Sequence, residues 1–94
     1  MKIKIDPDIL ELIPEYLKEV NSIPDNLKQL ISENNFIEVK NLGHKMKGHG
    51  SAYGFDFISQ IGQKLEEKAL KKNKPELLLL TEELSSLLAE VEIE

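Results

Sequence analysis

The chain contains no cysteine, no tryptophan and no arginine. Without cysteine there is no disulfide staple, no thiolate zinc site and no thiol nucleophile. All 12 basic residues are lysine, so reading of phosphate or guanine by a guanidinium fork is excluded. Positive charge is also in deficit, because 17 acidic residues leave a net charge of −5. Such a chain lacks the basic face that nonspecific nucleic-acid binding needs, and no nucleic-acid partner is expected. Long apolar runs are missing as well. The longest, 77–80, is four residues, against the roughly 20 that cross a bilayer. Met1 to Asp6 is basic but no apolar stretch follows it, so it does not read as a secretory signal. The expected setting is cytoplasmic, with no membrane partner.

With 94 residues the chain has room for one small domain, not for a dinucleotide-binding fold or a (β/α)₈ barrel. Abundant leucine and 40% hydrophobic residues argue for an ordered core. The periodicity is helical. Asp6-Pro7 supplies an N-cap and an N1 proline, and predicts a short helix over 7–13. Pro14 deletes the hydrogen bond to the Leu10 carbonyl, so a second helix starts there and runs to about 33. Ser22-Ile23-Pro24-Asp25 reads as a capping box at which that helix kinks or restarts. Asn34-Asn35 reads as a turn. Further helices are predicted over 35–52, 55–72 and 75–91, with Asn73-Lys74-Pro75 between the last two. In the last one, Leu77, Leu80, Leu84, Leu87, Leu88 and Val91 share a face, and Leu78 with Leu79 widens the buried stripe at its start. The tails around Ile3 and Ile93 alternate like strands with complementary charge, but an isolated two-stranded ribbon is marginal. Frayed ends are expected. The predicted architecture is all-α: an antiparallel four-helix bundle with a short extra N-terminal helix.

Chemistry concentrates in residues 42–55, which hold four of the five glycines, namely Gly43, Gly48, Gly50 and Gly54. Glycine inside a helix costs about 1 kcal/mol relative to alanine. Either a partner needs bare helix surface or another backbone needs close approach. At ~100° per residue, Val39, Leu42, Met46 and Tyr53 form the core side, and His44 lies about 165° from their centre, facing water. Lys40, Lys47, Gly48 and Ser51 share its face. Gly48 clears the surface beside the imidazole, while Gly43 and Gly50 fall nearer the core, where they suit close packing. An exposed neutral imidazole can attack a phosphoryl group, and Lys47 can balance the arriving charge. A lone exposed histidine is by itself an ordinary surface residue, so the glycines carry the argument. His49, about 140° round from His44, is an edge histidine and cannot share a metal with it. Ser51 lacks a nucleophile elbow, and no phosphate-binding glycine loop exists for ATP.

His44-Lys45-Met46-Lys47-Gly48 with Gly54 resembles the His-x-x-Lys-Gly…Gly signature of the histidine-containing phosphotransfer (Hpt) domain family. Leu12-Ile13-Pro14-Glu15-Tyr16-Leu17 resembles its Leu-x-Pro-x-Phe-Leu opening, and Ile61-Gly62-Gln63-Lys64-Leu65-Glu66 the segment that packs beside its active histidine. The likeness spans about 8–90, so one Hpt-like domain over 1–94 is expected, with its core at about 8–91. The resemblance implies a four-helix bundle without kinase activity of its own, a phosphorelay intermediate rather than an enzyme. His44 would accept a phosphoryl group at Nε2 from a receiver-domain aspartate and pass it to another receiver. Lys47 would assist, and Glu66 would bond Nδ1. Lys40, Lys45, Gly48, Ser51 and Gly54 would form the docking face and the turn beyond it. No cofactor is implied, since Mg²⁺ belongs to the receiver. The implied partners are response-regulator receivers and a hybrid histidine kinase, met by a monomer. His49 and Pro24 depart from the family pattern. Two alternatives stay open: the amino-terminal phosphoacceptor domain of a chemotaxis-type histidine kinase, and a helical scaffold that transfers nothing.

Overall fold

The computed structural model describes residues 1–93. A 3-10 helix, Pro7–Leu12, leads into α1, Ile13–Asn21, followed by α2, Ile23–Ser32, α3, Phe36–Ala52, α4, Asp56–Leu70, and α5, Lys74–Ala89. Two short strands, β1 at Lys2–Ile3 and β2 at Glu92–Ile93, flank the helices. Asp6 caps the first turn, its carboxylate accepting from the Asp8 amide at 2.9 Å.

α1 and α2 form one interrupted rod. The expected capping box at its break does not form. Ser22 keeps a helical backbone, and its hydroxyl donates back to the Glu19 carbonyl at 2.6 Å. A cap must leave the helical region before its oxygen can reach the amides ahead. The interruption therefore traces to Pro24, which has no N–H for the Val20 carbonyl.

The next three connections share one solution. Asn35, Phe55 and Asn73 donate their amides to the Leu30, Gly50 and Lys68 carbonyls at 2.9, 2.7 and 3.0 Å. The residue before each has positive φ: Asn34 at 56°, Gly54 at 86° and Lys72 at 52°. This six-to-one closure ends one helix and reverses the chain within a few residues. Asn35 and Asn73 then cap the following helices, accepting from the Glu38 and Glu76 amides.

Such short turns make neighbouring helices antiparallel. α2 packs on α3, α3 on α4, α4 on α5, and α5 returns to α2, closing a four-helix bundle of 39 × 21 × 17 Å. Leu27, Ile31, Val39, Met46, Ile58, Leu65, Leu77 and Leu84 fill its axis. Thr81 sits among them with its hydroxyl bonded to the Leu77 carbonyl.

Two further expectations are corrected. Leu78 and Leu79 are exposed, at 42% and 63%, so the stripe on α5 is not widened at its start. α5 packs mainly on α2 and α4, and one face suffices for both. The tails also pair. β1 and β2 run parallel, with Lys2 opposite Glu92 and Ile3 opposite Ile93. The Met1 amino group donates to the Glu90 carbonyl, and the Glu92 amide to the Met1 carbonyl. The ribbon is not isolated. Ile5 belongs to the core, and Ile3 and Val91 pack against it. Apolar burial thus stabilises a pairing that two residues per strand could not hold alone.

Candidate functional site

His44 stands in the middle of α3 with its side chain 71% exposed. Its Nδ1 lies 3.0 Å from Oε2 of Glu66 on α4. A carboxylate only accepts hydrogen bonds, so Nδ1 carries a proton and, in the neutral ring, Nε2 keeps the free lone pair. The imidazole is thereby held in one orientation and one tautomer.

Two glycines make this pairing possible. A Cβ on Gly43 would lie 2.7 Å from the Gly62 carbonyl oxygen and 2.9 Å from the Glu66 amide. One on Gly62 would lie 2.6 Å from the Gly43 oxygen and 2.7 Å from the Lys47 amide. The α3 and α4 backbones therefore touch next to His44, close enough for Glu66 to reach the ring. Gly50 extends the contact toward the turn, where a Cβ would meet the Ser59 amide at 2.5 Å. Ser59 also donates its hydroxyl to the Lys47 carbonyl at 2.6 Å, tying the helices together beside the lysine. Gly48 is the opposite case: a Cβ there meets nothing within 4 Å, so the helix surface one turn beyond His44 is bare.

A family profile described as Hpt domain matches residues 11–92 of the 94-residue chain. The chain belongs to the Hpt domain family. Hpt domains are histidine phosphotransfer carriers of phosphorelay signalling, usually without autonomous kinase activity, and they generally interact with response-regulator receivers. Neither the curated proteins nor the solved structures compared with this chain include a match.

In this Hpt domain, Lys47, Gly48 and Ser51 are exposed along the face of α3 that carries His44, and Lys40 is half-buried on it. Lys45 stands apart from that row, lining a groove of about 310 Å³ with Glu19, Asn26 and His49 between α3 and the α1–α2 break. Gly54 lies in the α3–α4 turn beside the Lys4 carbonyl, where its positive φ reverses the chain. No helix among the described residues is long and apolar enough to cross a membrane.

His49 is half-buried, as its place on the helical wheel predicts. Its Nδ1 is 2.7 Å from the hydroxyl of Tyr16, whose ring stacks on Tyr53 at 4.1 Å. Burial, with smaller contributions from Tyr53 and Glu19, pushes the Tyr16 phenol far above its ordinary range, so it stays protonated. The protonated phenol and Nδ1 of His49 share one hydrogen bond. The two histidines of α3 thus meet different partners, a carboxylate that only accepts and a phenol. Burial also lowers the His49 pKa, against a weaker opposing pull from Glu19. The wheel carries no trace of Tyr16 as a partner. Gly62 was legible as a glycine in a helix, but its pairing with Gly43 depends on the register of two helices.

Proposed function

We propose that His44 is the phosphoacceptor of this Hpt domain and that receiver aspartates are both its donor and its acceptor. The observation that carries the reading is the 3.0 Å bond between Glu66 and Nδ1 of a histidine whose side chain is 71% exposed. The Nε2 lone pair attacks the phosphorus of an aspartyl phosphate. The N–P bond forms as the P–O bond to the aspartate breaks, and the aspartate leaves as a carboxylate. The Nδ1 proton remains bonded to Glu66, which offsets the positive charge developing on the ring. Lys47 stands one turn away for the phosphoryl oxygens. Phosphoryl transfer is mostly positioning and charge balance, and the receiver supplies Mg²⁺ with its own aspartate. The reverse reaction delivers the group to a second receiver.

Phosphorus NMR and labelling after incubation with phosphorylated receivers test this reading. The wild-type chain is expected to acquire an acid-labile phosphohistidine, and His44→Gln none. Label persisting on a folded His44→Gln would place the acceptor elsewhere.

A further inference from the structure

Ile37 and Leu70 are the two most exposed large apolar side chains among the described residues, at 71% and 66%. They do not lie apart. Both line one groove of about 160 Å³ across the seam between the start of α3 and the end of α4, with Lys40 and Lys72 among its walls. Single exposed apolar residues need no explanation, but a pair sharing a groove between cations does. The groove is continuous with the His44 face. Ile37 lies seven residues before His44, on the same stripe and about 10 Å along the axis. Lys40 lies one turn before His44, and Leu70 one turn beyond Glu66.

We propose that this groove is an anchor for the docking receiver domain, seating apolar side chains that flank the receiver's acidic phosphoacceptor pocket. The proposal rests on the reading of His44 as acceptor. A partner that brings an aspartate to His44 covers about 800 Å² of this chain, a patch of roughly 16 Å radius, and so reaches the groove. Lys40 and Lys72 are matched to the carboxylates that rim a Mg²⁺-binding pocket. The same lysines disfavour a second copy of this chain, because a two-fold pairing through the groove brings like charges together. Apolar contacts inside a charged rim are where binding energy concentrates.

The test uses the double variant Ile37→Ser/Leu70→Ser, whose side chains are mostly in water and whose fold should be intact by circular dichroism. Two donors are compared. One is the phosphorylated receiver that labels the wild type fastest in a purified panel. The other is phosphoramidate, a small phosphodonor that needs no docking. The expected result is a loss of roughly 10- to 100-fold in kcat/KM from the receiver, with unchanged labelling by phosphoramidate. Unchanged transfer from the receiver would overturn the anchor and leave His44 as acceptor. A wild type labelled by neither donor would overturn the underlying reading instead. Concentration-dependent dimerisation that the variant abolishes, with receiver transfer unaltered, would assign the groove to self-association and overturn the proposal.

Discussion

Two histidines five residues apart on one helix meet opposite partners. Nδ1 of His44 donates to the Glu66 carboxylate, and Nδ1 of His49 is hydrogen-bonded to the Tyr16 hydroxyl. Only the first ring stands exposed, so the surroundings of each ring separate a candidate acceptor from a packing residue. The buried ring has a consequence for stability. His49 binds its proton less readily in the folded chain than the ordinary imidazole near 6.5. Where the unfolded state holds more protons than the folded one, stability falls as pH drops. The contribution is therefore complete above about pH 6.5 and is lost as pH falls through the lowered folded value. Melting temperatures measured from pH 7.5 to 5 should decline on the acid side, and His49→Gln should flatten that decline.

At the scale of elements, the seam between α3 and α4 decides both packing and site geometry. Gly43→Ala places a methyl against the Gly62 carbonyl and the Glu66 amide. Separating the helices should cost roughly 1–3 kcal/mol and weaken the bond to His44. Gly48→Ala enters open space and should instead stabilise the helix by about 0.5–1 kcal/mol. Urea denaturation of the two variants, with imidazole NMR reporting the His44 tautomer, separates these outcomes. The exposure of His44 and the packing of Gly43 and Gly50 were legible beforehand, because both follow from the 100° step of a single helix. The Ser22 capping box was misread because its residue pattern is diagnostic only where the backbone leaves the helix. Leu78 and Leu79 were misread because the width of a buried stripe depends on how many neighbours a helix meets. The reach of Glu66 came from family resemblance; its physical basis, the facing glycines, depends on a tertiary register that no single helix encodes.

At the scale of the whole molecule, a net charge of −5 coexists with lysines at 40 and 47 on the face of His44. A receiver with an acidic docking face would be attracted locally and repelled globally, and salt would screen both effects. Close contacts should dominate once the surfaces meet, so raising ionic strength from 0.05 to 0.5 M should lower kcat/KM for receiver transfer. A kcat/KM that stays constant or rises would show that the lysines do not guide docking. The ribbon of chain ends was missed for a related reason. Its hydrogen bonds are local, but the burial of Ile5 beneath it is not.

That ribbon also gives the domain a mechanical character. Because β1 and β2 are parallel, a tether before Met1 and another after Ile93 would leave from opposite ends of the pair. Tension between them slides the strands past one another, so the bonds from Met1 to Glu90 and Glu92 strain together rather than opening in turn. A pull applied through such tethers would meet this clasp before it reached the bundle and the helix that carries His44.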